Sequence, residues 1–126
     1  MTEQEIFDEA LTKIVAQGKA SVSDGSCVYE SPDGTHCGVG CLLTSEEIVA
    51  VKASGYNEGF GAVDLIKEMQ LERFYGHVSL LDSIQSAHDG AAAGVDDFVE
   101  YFVQYMKDVA KDFELTFNDP TVVKDA

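Results

Sequence analysis

Cys27-Val28-Tyr29-Glu30-Ser31-Pro32-Asp33-Gly34-Thr35-His36-Cys37-Gly38-Val39-Gly40-Cys41-Leu42-Leu43 is the one long stretch of this 126-residue chain that does not read as amphipathic helix or short connection. It holds all three cysteines, one of three histidines and one of two prolines. Ser31-Pro32-Asp33-Gly34 is the best turn signal in the chain. Pro32 presets φ at the first central position, Asp33 suits the second, and Gly34 supplies a positive φ. Flanked by residues 27–30 and 35–37, this turn predicts a small β-hairpin, with Cys27 and Tyr29 on one face of its first strand. Residues 37–43 fit two geometries. Extended, positions 37, 39 and 41 share a face; as a helical turn, Cys37 and Cys41 share one. Either brings the two sulfurs to one side, and Gly38 and Gly40 permit close approach of another backbone or a ligand.

Helices surround this stretch. Thr2-Glu3-Gln4-Glu5 is a capping box. Ile6, Phe7, Ala10, Leu11, Ile14 and Val15 follow with helical spacing, and Gly18 sits where a glycine stop belongs, which predicts a helix over 3–17. Thr44-Ser45-Glu46-Glu47 is a second capping box, opening a short helix to about residue 53 before Gly55. Residues 56–61 are glycine-rich and read as a loop, and 62–69 as a short helix. Leu80, Leu81, Ile84, Ala87 and His88 describe a helix over 77–89, with Asp89-Gly90 as its stop. Val95, Phe98, Val99, Phe102, Met106, Val109 and Phe113 keep the helical period over 96–113. There Asp96 and Asp97 at the start and Lys107 and Lys111 near the end suit the helix dipole. Leu115 and Phe117 are expected to pack back as one short strand, and 118–126 to form a flexible tail. The predicted fold is a compact α+β, mostly α single domain over 1–117, with about five helices and a small β-hairpin after the first.

Charge is the strongest compositional fact. Twenty-three acidic residues face eight basic ones, for a net charge of −15 and a pI near 4.2. Such a chain is not drawn to nucleic acid phosphates or anionic lipid. Solubility, steering toward a basic partner and mimicry of nucleic acid each account for the charge. No apolar run approaches the ~20 residues of a membrane helix. The acidic start, Met1-Thr2-Glu3-Gln4-Glu5, lacks the basic and apolar regions of a secretory signal, so a cytoplasmic protein is expected. An odd number of cysteines without such a signal argues against a disulfide framework and for reduced thiols.

The order Cys27-x-Tyr29, Asp33-Gly34, then Cys37-Gly38-Val39-Gly40-Cys41-Leu42-Leu43, with Gln85, His88 and Asp89 downstream, resembles a family of small, functionally uncharacterised proteins of bacteriophages and bacterial genomes. Gly38 stands where the family pattern has alanine. The resemblance runs from the first helix to about Asp89. It implies a phage or bacterial accessory protein and names no activity or substrate.

Three chemistries suit these residues. Cys27, Cys37 and Cys41, with His88 or His36 as fourth ligand, offer a Cys3His zinc site. Against it stands the absence of a Cys-x2-Cys knuckle; the plainer reading is buried thiols, with His88 hydrogen-bonded to backbone at the edge of the core. One cysteine with His88 and Asp89 would give a thiol enzyme, but adjacent helical residues project about 100° apart, and catalytic residues are not assigned. Partner binding is the expectation taken forward. Tyr56 and Phe60 lie in a loop where aromatics anchor partners, and Glu46 and Glu47 offer acidic charge to a basic or nucleic-acid-binding protein. Their plain alternatives are a core cap and a solvated helix face. The functional expectation is a small acidic accessory protein acting on a macromolecule as a host-directed inhibitor or adaptor, needing no cofactor. A structural zinc domain is the alternative and a thiol-dependent enzyme the second alternative.

Overall fold

The computed structural model describes residues 2–23, 26–59, 61–93 and 97–120. It is mostly helical: α1 (Glu3–Gln17), α2 (Ser45–Ala53), α3 (Ala62–Glu68), α4 (Val78–Ala92) and α5 (Phe98–Asp112). Both predicted capping boxes are formed. The Glu5 N–H donates to Thr2 Oγ1 at 3.1 Å and the Thr2 N–H to Glu5 Oε1 at 2.8 Å. Thr44 and Glu47 repeat the pair at 3.1 and 2.8 Å. Gly18 closes α1 in the left-handed conformation, at φ 78°.

Helix α4 lies at the centre and packs against α1, α3 and α5. Its Leu80, Leu81 and Ile84 meet Ile6, Phe7, Leu11 and Ile14 of α1, Leu65 and Ile66 of α3, and Phe102 and Met106 of α5 in one buried cluster. Each such side chain contributes ~1.5–3 kcal/mol on burial.

The expected hairpin over 27–30 and 35–37 does not form a ladder. The turn itself is present, with Gly34 N–H donating to Ser31 O at 2.9 Å and Gly34 at φ 88°. It carries one isolated bridge, Glu30 with His36. Two competing demands stop the ladder there. Toward the N-terminus, the Tyr29 N–H goes to Asn57 O at 3.0 Å and the Glu30 N–H to Asn57 Oδ1 at 2.9 Å, so this edge pairs with the loop before α3. Toward the C-terminus, the chain coils at once into a 3-10 turn over Gly40–Leu42. The remaining strand structure among the described residues is a two-residue antiparallel pair, β1 (Val22–Ser23) with β2 (Ser26–Cys27), and a bridge from Val28 to Glu58. Asp24-Gly25, a turn signal by sequence, lies outside the described residues.

Residues 37–43 thus take the helical-turn option, and the two glycines serve backbone contact. A Cβ on Gly40 would overlap the Tyr29 carbonyl oxygen, and one on Gly38 would stand 2.9 Å from both Ile84 Cγ2 and Ile84 O of α4. Asp89-Gly90 does not stop α4, which continues to Ala92. Gly90 is instead a packing position, since a Cβ there would come within 3.3 Å of the Tyr105 ring on α5. Residues 115 and 117 form no strand, but the segment is tied down. The Gln4 amide bonds both sides of Thr116, to its O at 2.9 Å and from its N–H at 2.8 Å, and Phe117 meets Phe7 edge-on at 6.5 Å. Residues 121–126 of the expected tail and position 96 of the expected last helix are outside the described residues.

Gly40→Ala is expected to lower the urea midpoint with an unchanged m-value, at a cost of ~1–3 kcal/mol or more, because its Cβ meets unyielding backbone. Gly18→Ala, with open space around it, should cost only the left-handed strain of about 1 kcal/mol.

Candidate functional site

The inward face of α4 carries His88, fully buried as its spacing with Leu81 and Ile84 predicted. The Ser21 N–H donates to His88 Nε2 at 3.1 Å. A backbone N–H only donates, so Nε2 is the acceptor and the ring proton sits on Nδ1. That proton is donated to Asp89 Oδ1, 2.9 Å away. Adjacent residues therefore do meet here, contrary to the expectation from a 100° projection. The same carboxylate oxygen accepts from Gln85 Nε2 at 3.0 Å, and Gln85 Oε1 accepts from the Val39 N–H at 3.1 Å. The Cys27 thiol stands beside Asp89 and feels its carboxylate. Three segments far apart in sequence, at Ser21–Cys27, at Val39 and on α4, are thus joined by one short polar chain.

Donor atoms of Cys27, His88 and Asp89 lie within 4.8 Å of one another. Both imidazole nitrogens are engaged elsewhere than the thiol, Nε2 by Ser21 and Nδ1 by Asp89, and it is the carboxylate that acts on Cys27. In a thiol nucleophile the imidazole stands in the middle; here Asp89 does, and His88 has no lone pair directed at sulfur. The thiolate is correspondingly disfavoured. Burial, then the charge and hydrogen bond of Asp89, push the Cys27 pKa up to about 11. Burial raises Cys37 to about 12 and raises Cys41 further. Cys37 Sγ accepts from the Gly40 N–H at 3.2 Å, and Cys41 donates to Gly38 O at 3.3 Å, so both serve their own turn. Of the four predicted zinc ligands, Cys27 and His88 come together, with Asp89 as third donor, and Cys37 and Cys41 stay outside that cluster. His36 bonds Glu30 at 2.8 Å.

Beside Cys27 and Asp89 opens a cleft of about 530 Å³, between α4 and the loop before α3. Tyr29, Glu58, Asp82 and Gln85 line it with them, and no Lys, Arg or His does among the described residues. A second groove, of about 580 Å³, lies between α1 and α2 and has mixed charge. Its cations are committed: Lys13 to Glu9 at 3.3 Å and Lys52 to Glu30 at 2.8 Å.

The predicted partner-binding residues are scattered. The Glu47 carboxylate is held by the Arg73 guanidinium, which together with the Thr44 cap keeps its pKa low. Glu46 is exposed on the first turn of α2. Tyr56 is half-buried and packs on the core, and Phe60 lies outside the described residues. Glu58 and Asp82 were not singled out from sequence. Asp82 was legible, since it stands seven residues before Asp89 on the same helical face; Glu58 depends on how its loop folds over Tyr29. No protein-family model, no curated protein and no solved structure matches the chain.

Moving the Cys27 pKa from 9.0 to about 11 leaves ~100-fold less thiolate near pH 8 than in a free cysteine. Native protein should therefore react with a disulfide reagent at pH 8 about that much more slowly than unfolded protein does, and Asp89→Asn should speed the reaction at Cys27. Because the folded pKa is raised, the thiols stabilise the fold below pH 9, and that stabilisation is lost as pH rises from 9 toward 11 and 12. A urea midpoint that stays level across this range would contradict the assignment.

Proposed function

We propose that this chain is a small acidic accessory protein of a phage or phage-like element, acting in the cytoplasm of the host by binding a basic or nucleic-acid-binding protein as an inhibitor or adaptor. The observation that carries the reading is a concave cleft of one sign of charge. On the side of α1, α2 and the 31–36 turn, Lys13, Lys19, Lys52 and Arg73 are each paired with a carboxylate. On the side of α4, Glu58, Asp82 and Asp89 share a concave cleft with no cation in its lining among the described residues. Charge selected only for solubility needs no such cleft, whereas a one-sign cleft concentrates the field that steers a basic partner. The inert thiols weigh in the same direction, away from thiol catalysis. No helix among the described residues is long and apolar enough to cross a membrane.

Immobilised protein should retain one or a few basic proteins from bacterial lysate at low salt and release them as salt rises. Glu58→Lys with Asp82→Lys should abolish the retention. A lysate that yields no salt-sensitive partner counts against the proposal.

A structural zinc site is the second reading, favoured by the Cys27, His88 and Asp89 donors within 4.8 Å. It carries a cost: binding through His88 Nδ1 would move the ring proton to Nε2, and the Ser21 N–H would lose its acceptor. Near one zinc per chain in protein purified without chelator, with unfolding on chelation, would establish it.

A further inference from the structure

The outer face of α5 carries an aromatic stripe that the core does not use. Asp97, Tyr101, Tyr105, Asp108 and Asp112 follow one another at spacings of three or four, which aligns them on one face. All five are exposed, and Tyr101 and Tyr105 leave 47% and 41% of their surface open. Tyr105 lies across α4 at Gly90, where the missing side chain makes room for its ring. Gly90 follows Ser86 by one turn on α4, and Ser86 with Asp82 lines the acidic cleft. Cleft and stripe are therefore parts of one surface spanning α4 and α5, built of carboxylates and tyrosine rings and lacking a cation at any of these positions.

We infer that this surface docks an arginine-bearing segment of the partner protein. The inference rests on the proposed binding of a basic protein and names the side chain that does it. Arginine fits both halves of the surface. Its guanidinium forms paired hydrogen bonds with carboxylates such as Asp82 and Glu58, and its flat face stacks on Tyr101 and Tyr105. Lysine, a compact and strongly hydrated point charge, uses the carboxylates but gains less from the rings. Asp82 and Asp89 stand seven residues apart, about 10 Å along α4, so the surface has room for more than one basic side chain.

The test titrates the full-length protein with hepta-arginine and hepta-lysine peptides at low salt, followed by tyrosine fluorescence, which no tryptophan obscures, and by calorimetry. The expected result is arginine peptide binding at least ~10-fold tighter than lysine peptide binding. Tyr101→Ala with Tyr105→Ala should remove that preference and leave the weaker lysine affinity. Glu58→Gln with Asp82→Asn should weaken both peptides, whereas Glu46→Gln with Glu72→Gln, an equal change in charge away from the cleft, should leave both unchanged. Equal binding of the two peptides to the wild type would overturn the arginine inference while keeping the basic-partner reading. Equal weakening by the two charge-neutralising pairs would overturn the docking surface, and binding of neither peptide would overturn both. Unchanged urea midpoints establish that each variant is folded.

Discussion

The hydrogen bond from the Ser21 N–H to His88 Nε2 is the constraint on which the rest of this structure turns. It is made in a site closed to water, where an unsatisfied amide or imidazole would cost ~1–3 kcal/mol. Its consequences run in sequence. It places the ring proton on Nδ1, that proton orients Asp89, and Asp89 in turn holds Gln85 and the Cys27 thiol. Gln85 reaches over to the backbone of Val39. The irregular stretch of the chain between α1 and α2 has little regular secondary structure of its own. It is fastened to α4 by this chain of polar contacts and by the two glycines that let backbone lie on backbone.

That fastening shapes the cleft beside α4. With Ser21, Gly38 and Val39 held against α4, Tyr29 and Cys27 line a cleft together with Glu58, Asp82 and Asp89. The reaction chemistry that Cys27, His88 and Asp89 suggest by composition is not what their order of contact provides. A carboxylate between thiol and imidazole stabilises the protonated sulfur, whereas a nucleophile needs the opposite. The three residues act as a structural joint, and the exposed part of Asp89 contributes charge to the cleft.

The helices were legible in the sequence because their signals are local. Thr2 with Glu5, Thr44 with Glu47, and Gly18 act within one turn of chain, and the structure has each where the spacing puts it. His88 was legible as an inward residue for the same reason. What could not be read depends on partners far along the chain. The hairpin fails because Asn57, some thirty residues away, takes the N–H groups of Tyr29 and Glu30. Gly90 looks like a stop until Tyr105 is known to lie on it. Cys37 and Cys41 look like ligands by type, yet the backbone of their own turn engages both. Glu58 enters the cleft through a bridge to Val28 that no local pattern announces.

The tautomer of His88 tests this account most directly, because the joint between the 21–39 segment and α4 follows from it. Long-range nitrogen–proton NMR of the imidazole, with hydrogen exchange at the Ser21 amide, measures both ends of the key bond. The account predicts a neutral ring carrying its proton on Nδ1, an unprotonated Nε2, and a Ser21 amide among the slowest to exchange. A ring protonated on Nε2, together with a rapidly exchanging Ser21 amide, would contradict it.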